Sequence, residues 1–196
     1  MNMDGAVAEL LDEIARSGRA HDEHEASHDQ RMLNLEPDTA RLVSLFVRSS
    51  RRQRVLEIGT SNGYSTLWLA WSVRPHSGRV ISIDRDAGKQ ELADANLRRA
   101  GLREAVELMQ GDATEIVRGL DGLFDCVFFD ADRVSAPEQL HLLLPKLRDD
   151  VLLIADNAMS HPDEIAAYLA ALGALPDFQH LVIPVGKGLS VAYHGR

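Results

Sequence analysis

The sequence has a single cysteine, no excess of positive charge and no long apolar run. Cys126 stands alone among 196 residues, which excludes a disulfide within one chain, and its apolar setting, FDCVFF, predicts a buried strand residue. Lys and Arg number 21 against 30 Asp and Glu, so the net charge is −9. A nucleic-acid-binding surface needs clustered positive charge, and this balance argues against one. With neither a signal peptide nor a membrane-spanning run, we expect a cytoplasmic protein.

The length suits one domain with a full hydrophobic core. Hydrophobic residues make up 45% of the chain and charged residues 26%, which is typical of a globular protein. We predict a single domain, residues 1–196, in which a helical cap region of residues 1–50 precedes a core of residues 51–196. The better helix candidates in the cap region are residues 5–16 and 37–48.

The most informative segment is VLEIGTSNGYS, residues 55–65. A short apolar strand runs into a loop with two glycines, and a helical pattern follows at once. This arrangement lets the backbone approach a ligand and points free amides at it, which is typical of a nucleotide-binding cradle. A dinucleotide fingerprint, G-x-G-x-x-G from Gly59, fails because Ser61 and Tyr64 occupy the second and third glycine positions. The pattern is instead E-x-G-x-x-x-G, beginning at Glu57.

Strands and helices alternate after this turn. The sequence predicts five βα units and then an antiparallel hairpin within residues 178–195, whose strands meet at a tight Gly-Lys-Gly turn. This order predicts an α/β fold, a Rossmann-like, doubly wound, seven-stranded sheet that is mostly parallel with a C-terminal antiparallel hairpin. The first five strands are predicted within 54–58, 77–84, 105–112, 124–132 and 150–157, and helices are predicted at 87–100, 137–147 and 161–173.

An acidic residue lies at or near the carboxyl end of each of the first five predicted strands. In doubly wound sheets, ligands bind outside the carboxyl ends of the strands. Solubility alone does not require acids at this edge of every strand, so we predict the functional site here. The residues are Glu57, Asp84, Asp112, Asp130 and Asp156.

Several signatures recur in order along the chain: MLNLEPDTARLV from Met32, VLEIGTSNGYS, ISID, GDA, FFDADR, IADN and a final GKGLSVAY. With that order and spacing, the sequence resembles the small divalent-metal-dependent O-methyltransferases, the group that includes catechol and caffeoyl-coenzyme A O-methyltransferases. The resemblance runs from about Met32 to the C-terminus. It implies a class I methyltransferase domain with S-adenosylmethionine as cofactor, and a homodimer, which is frequent in that family.

The resemblance assigns the cofactor to the glycine turn and the acidic strand ends. Asp84 is expected to accept hydrogen bonds from the ribose hydroxyls, and Glu57 to lie near the ammonium group of the methionine moiety. Ser65, at the start of a helix, is expected to bind the cofactor carboxylate. Residues 33–35 resemble the segment that closes over the cofactor. The full set of implied cofactor-binding residues is Leu35, Glu57, Gly59, Thr60, Gly63, Ser65, Asp84, Arg85, Asp112, Ala113 and Asp130, with Asp112 and Ala113 beside the adenine.

The family's metal ligands match Asp130, Asp156 and Asn157. Three oxygen donors from two strand ends suit Mg²⁺ or another divalent cation, with water and acceptor oxygens completing six positions. If no metal binds, the D-A-D run at residues 130–132 is simply the acidic end of a strand, and the D-N pair at residues 156–157 is the start of a turn. The occurrence of both after neighbouring strands favours a metal site. A histidine-rich run, HDEHEASH at residues 21–28, also has helical spacing, and a solvated helix face is its simpler interpretation.

The sequence departs from the family at the general base. The family has a lysine three residues after the first metal-binding aspartate, and here that position is Arg133. Arginine stays protonated at neutral pH and cannot take a proton. Three explanations stay open: solvent deprotonates a metal-activated hydroxyl, His161 or Asp132 is the base, or the chain does not catalyse the family reaction. Arg133, as a stabiliser of negative charge, and Asp130 are the predicted catalytic residues.

The leading hypothesis is an enzyme that transfers a methyl group from S-adenosylmethionine to a hydroxyl of a small aromatic diol, with a divalent metal holding both acceptor oxygens. One alternative is a metal-independent methyltransferase acting on another acceptor, which activity in the presence of a chelator would favour. The other is a non-catalytic cofactor-binding protein, which tight cofactor binding without turnover would favour.

Overall fold

The computed structural model describes residues 3–195 as a seven-stranded sheet flanked by helices. The strands are β1 (Arg54–Ile58), β2 (Arg79–Asp84), β3 (Val106–Gln110), β4 (Phe124–Phe129), β5 (Leu147–Ala155), β6 (Gln179–Ile183) and β7 (Leu189–His194). The helices are α1 (Gly5–His24), α2 (Pro37–Ser49), α3 (Tyr64–Val73), α4 (Ala87–Arg99), α5 (Ala113–Gly119), α6 (Ala136–Leu143) and α7 (Pro162–Gly173). No helix in this range is long and apolar enough to cross a membrane.

The predicted topology is confirmed. The strand order is β3-β2-β1-β4-β5-β7-β6; β1 to β5 run parallel, and β7 lies antiparallel between β5 and β6. Alternate residues of each central strand enter two hydrophobic clusters, one on each face of the sheet. In β4, Cys126 and Phe128 pack in the cluster formed with α1 to α4, while Val127 and Phe129 pack in the cluster formed with α5 to α7. Strands buried on both faces explain the nearly continuous apolar runs in the sequence.

Three predicted boundaries were wrong. The fifth strand, predicted within 150–157, begins three residues earlier, at Leu147. The first helix does not end at residue 16 but continues to His24, whose Nδ1 lies 2.8 Å from the carbonyl oxygen of Ala20. This contact lies within the helix itself, and the Glu25 N–H donates to the His21 carbonyl oxygen at 3.0 Å, so the helical hydrogen-bond pattern continues through this polar stretch. The helix predicted at 137–147 ends at Leu143, and a short 3₁₀ turn containing Pro145 leads into β5.

The histidine-rich run lies at the exposed end of α1 and in the turn after it. His21 Nε2 lies 3.1 Å from the carbonyl oxygen of Gln30, and His24 contacts its own helix. Within residues 3–195, no group of three or more His, Cys, Asp or Glu side chains is arranged to hold a metal ion. The solvated face is therefore the better interpretation of residues 21–28.

Candidate functional site

The carboxyl ends of β1, β4 and β5 are joined by backbone hydrogen bonds. The Asp130 N–H donates to the carbonyl oxygen of Ile58 at 2.8 Å, and the Asp156 N–H donates to that of Phe129 at 3.1 Å. Phe129 pairs with Ala155 in the parallel register, so the residues that follow them, Asp130 and Asp156, are neighbours. The sheet thus places the two predicted metal-binding carboxylates side by side.

The glycine turn after β1 packs directly on the loop after β4. Gly59 has a φ of 109°, and a Cβ at this position would overlap the carbonyl oxygen of Asp130. Only glycine combines this backbone conformation with so close an approach. The predicted cofactor turn and the predicted metal-binding loop therefore lie in contact.

Asp84 is held by backbone amides at the end of β2. Its Oδ2 accepts a hydrogen bond from the Ser61 N–H at 2.8 Å, and its Oδ1 accepts one from the Asp86 N–H at 3.0 Å. The half-buried carboxylate borders an open cleft. Five of the predicted cofactor-binding residues line this cleft: Gly59, Asp84, Arg85, Asp112 and Ala113.

The other predicted cofactor contacts lie outside this cleft. Leu35 is buried in the hydrophobic core, and Thr60 directs its hydroxyl to that of Ser82 at 2.6 Å. Gly63, with a φ of 86°, precedes the first residue of α3, and Ser65 is buried in the first turn of that helix. Their contacts with the cofactor stay predictions.

Glu57 is fully buried between β1, β2 and α3. Its Oε2 accepts hydrogen bonds from the hydroxyls of Thr66 at 2.5 Å and Ser82 at 2.6 Å, while its Oε1 has no partner within the described residues. Burial raises the pKa of Glu57 to about 7, although the hydrogen bonds from Ser82 and Thr66 oppose that shift. Among residues 3–195, one oxygen of this carboxylate therefore accepts no hydrogen bond.

The acidic pair is electrostatically strained. Burial and then the charge of Asp156 raise the pKa of Asp130 well above its usual range. Burial also raises the pKa of Asp156 to about 6. In residues 3–195, the Asp156 Oδ1 is buried without a hydrogen-bond partner. Two adjacent carboxylates with too few donors fit a bound cation.

The donor set for such a cation also fits. Asp130 and Asp156 provide two carboxylates, and Asn157, next along the chain, provides an amide oxygen that already accepts a hydrogen bond from the Ser160 hydroxyl at 3.2 Å. Asn157 has a φ of 64°, a conformation that asparagine adopts more readily than most residues. Hard oxygen donors of this kind match Mg²⁺.

Neither Arg133 nor Asp132 is a free base. Arg133 forms an ion pair with Glu164 on α7, with its Nε 2.9 Å from Oε2. Partial burial alone would raise the pKa of Asp132, but hydrogen bonds from the Ser135 hydroxyl and from backbone amides lower it. His161 is exposed and directs its Nδ1 to the Ser160 hydroxyl at 2.8 Å. This geometry disfavours Arg133 and Asp132 as the base, and the choice between solvent and His161 stays open.

Three residues that sequence reasoning missed lie at the edge of the site. Glu36 pairs with Lys187 at 3.2 Å, and the charges of both residues influence the pKa values of Asp130 and Asp156. Ser61 joins Asp84 to the segment before α2, because its hydroxyl donates to the carbonyl oxygen of Met32 at 2.6 Å. No local pattern brings these residues together, since Glu36 and Lys187 are at opposite ends of the chain. The Gly-Lys-Gly pattern predicted a turn and formed part of a family signature, but it gave no role to Lys187.

The parallel strands, the glycine turn and the acidic edge define a Rossmann-like protein with a cleft beside an acidic pair. The family model described as O-methyltransferase matches residues 8–167, and the chain belongs to this family.

Two relatives and one solved structure illustrate the likeness. The catechol O-methyltransferase of Niastella koreensis is 32% identical over 131 residues, covering 65% of this chain and 59% of that protein. The catechol O-methyltransferase of Mycobacterium tuberculosis is 34% identical over 120 residues, covering 61% and 54%. The chain thus spans between half and two thirds of the length of these relatives. The O-methyltransferase TomG of Streptomyces achromogenes, solved in complex with SAM, is 28% identical with a TM-score of 0.81, covering 100% of this chain and 92% of that one.

Proposed function

We propose that this protein transfers a methyl group from S-adenosylmethionine to a hydroxyl of a small aromatic diol, assisted by a divalent cation such as Mg²⁺. The observation that carries the proposal is the contact between the cofactor turn and the acidic pair, through Gly59 and Asp130. A cofactor in the cleft and an acceptor at the acidic pair would meet at this point. Membership of the O-methyltransferase family and the SAM complex of TomG support the same assignment.

Asp130, Asp156 and Asn157 would hold the cation. A bound divalent cation supplies a positive centre that favours the ionised form of an acceptor hydroxyl. The protein's own contribution is positioning: the glycine turn and Asp84 orient the cofactor, and the joined ends of β4 and β5 fix the acceptor side relative to it. Holding two reactants in the correct geometry accounts for a large share of the rate in such transfers.

The homodimer and the cytoplasmic location expected from the sequence remain part of the proposal. Light scattering on the purified chain tests whether it forms a homodimer.

The Asp84→Asn variant tests the cofactor assignment. We expect it to weaken the binding of S-adenosylhomocysteine by about 1.5–3 kcal/mol, the usual range for hydrogen bonds to a charged group. Isothermal titration calorimetry measures this directly. Glu107→Gln, at an exposed carboxylate within β3, is the matched control and should bind like the parent protein. Heat from NAD binding without a response to S-adenosylhomocysteine would contradict the assignment.

The Arg133→Lys variant tests the role of the positive charge beside the acidic pair. Arg133 is already paired with Glu164, so we expect it to stabilise negative charge and not to take a proton. Lysine keeps that charge, and activity on catechol should be retained or increased, whereas Arg133→Met should be less active. The pH–rate profile should follow the acidity of the acceptor when acceptors of different acidity are compared. An inactive lysine variant beside an active methionine variant would show that the charge is not what matters.

A further inference from the structure

Tyr168, on α7, is one of the largest fully buried side chains of the protein. Its ring lies against that of Phe129 at the end of β4, with the two centroids 5.2 Å apart. Its hydroxyl is buried with no hydrogen-bond partner among residues 3–195. A buried tyrosine hydroxyl usually has a partner, because leaving it unbonded loses the hydrogen bonds that water makes to it in the unfolded chain. We therefore expect this hydroxyl to bond a group other than the side chains around it.

A second buried oxygen of this kind belongs to Asp156. Its Oδ1 has no hydrogen-bond partner within the described residues. The Asp156 N–H donates to the carbonyl oxygen of Phe129 at 3.1 Å, so the residue whose ring packs on Tyr168 is also bonded to Asp156. The two oxygens therefore belong to residues that both contact Phe129.

Tyr168 and Asp156 line the same cavity, between the loop after β4 and the helices α6 and α7. Its volume is about 10 Å³, which is close to the smallest space that holds one water molecule. Waters buried in proteins typically bond about three polar groups, whereas purely apolar cavities stay dry. This cavity has the size and the polar groups that a single water requires. Its apolar walls are formed by Ile58, Phe129, Ala136, Ala155 and Ile165.

Two other hydrogen-bond donors that line this cavity are already engaged. Gln139, on α6, is buried, and its Nε2 donates to the Thr114 hydroxyl at 3.2 Å. The guanidinium of Arg133 forms its ion pair with Glu164. The Tyr168 hydroxyl differs from both, because its hydrogen has no acceptor in the part of the chain that the structure describes.

We propose that this cavity binds one water molecule, which accepts a hydrogen bond from the Tyr168 hydroxyl and donates one to the Asp156 Oδ1. Tyr168 is then a positioning residue that holds the Asp156 carboxylate from the side of α7. A carboxylate has about four lone-pair sites, so the water leaves the others to a cation. Groups that bond the ligands of a metal orient those ligands and strengthen metal binding. Only the effect of this bridge on a cation rests on the proposed function.

A crystal structure of the full chain tests the bridge directly. We expect electron density for a water within about 2.7–3.0 Å of both the Tyr168 Oη and the Asp156 Oδ1. The water should be present without added Mg²⁺, because both of its partners belong to the protein. A well-resolved cavity without this density would overturn the proposal.

The Tyr168→Phe variant tests the bridge in solution through the sign of its effect on stability. If the hydroxyl had no partner, its removal would leave stability unchanged or raise it, since a buried unbonded group would be lost. With the water bound, the variant loses a buried hydrogen bond, and its melting temperature should fall by about 2–4 °C. Tyr193→Phe, at a side chain that is 38% exposed, is the matched control and should melt within about 1 °C of the parent protein. Melting of Tyr168→Phe at or above the temperature of the parent would contradict the bridge.

The affinity for Mg²⁺ tests the positioning role, which a purely structural hydroxyl would not affect. Calorimetry with Mg²⁺ alone, at a temperature at which both proteins are folded, should show binding to Tyr168→Phe weakened by about tenfold. The affinity for S-adenosylhomocysteine without Mg²⁺ should be unchanged, because Tyr168 does not line the cleft beside Asp84.

The outcomes separate this inference from the proposed function. Equal Mg²⁺ affinities of Tyr168→Phe and the parent protein would overturn the positioning role and leave the methyl-transfer proposal standing. If the parent protein binds no Mg²⁺, the cation and the positioning role are both wrong, while the crystal structure and the melting temperatures still decide the bridge.

Discussion

Alanine at Asp130 or Asp156 is expected to reduce cation-dependent methyl transfer by ~100-fold or more, because each replacement removes one of only two carboxylates available to the cation. The fold should persist in both variants. Asp156 is buried with an unpaired oxygen, and burial raises its pKa to about 6, so its ionised form destabilises the protein at neutral pH. Activity on catechol with Mg²⁺ measures the loss of methyl transfer, and thermal melting measures whether the fold persists.

The control for this pair is Asp163→Asn, an exposed acid in the first turn of α7, which should keep its activity. Cation affinity in the parent protein should also rise with pH through about 6, as Asp156 loses its proton, and should level off only when Asp130, whose pKa is also raised well above its usual range, has lost its own. Full activity in saturating EDTA, or in either alanine variant, would remove the cation from the mechanism. It would then favour the metal-independent alternative.

Glutamine at Glu57 is expected to change the pH dependence of stability by about 3 kcal/mol. Burial raises the pKa of this carboxyl from 4.5 to about 7, so the folded protein holds the proton more tightly than the unfolded chain does. The contribution of Glu57 to the free energy of unfolding is therefore highest below pH 4.5, falls as the pH rises to about 7, and is constant above. The interval between those two pKa values corresponds to ~3 kcal/mol. Glu57→Gln has no proton to lose, and it should gain stability relative to the parent protein as the pH rises.

Urea unfolding of both proteins at pH 5 and pH 8 measures this difference. The amide oxygen can accept the hydrogen bonds of Thr66 and Ser82, so the change should not disturb the surrounding hydroxyls. Glu107→Gln provides the exposed control. If Glu57 also faces the cofactor ammonium, the same variant should bind S-adenosylhomocysteine less tightly while being more stable at pH 8. A difference in stability between variant and parent that is the same at pH 5 and pH 8 would contradict the burial argument.

The succession of strands along the chain could be predicted because each central strand is apolar on both faces and is bounded by turn residues. The same pattern predicted that the acidic residues at the strand ends lie together, because parallel strands bring their carboxyl ends to one edge of the sheet. The end of α1 could not be predicted in this way. His24 extends the helix by contacting a carbonyl of the preceding turn, and the sequence there is as polar as a loop.

The roles of individual site residues were harder to predict than their positions. Thr60 stands in the glycine turn, where a cofactor contact is the natural expectation, yet its hydroxyl turns inward to Ser82 because the turn sits directly on β2. Arg133 could be placed beside the acidic pair, but its partner Glu164 comes from a helix whose packing is set by the whole sheet. The pairing of Glu36 with Lys187 depends on how the chain's two ends fold over one another, which no local pattern encodes.

Because glycine has no side chain, Gly59 limits how this site can change over evolution. Any larger residue there would push against the Asp130 carbonyl, and the displacement would pass from the cofactor turn to the acidic pair in one step. A lineage that abandoned the cation could therefore replace the acids freely, since nothing in the turn depends on their side chains. A lineage that altered the turn would damage both halves of the site together. Loss of function through this glycine should be abrupt, whereas loss through the carboxylates can be gradual and can leave a protein that still binds its cofactor.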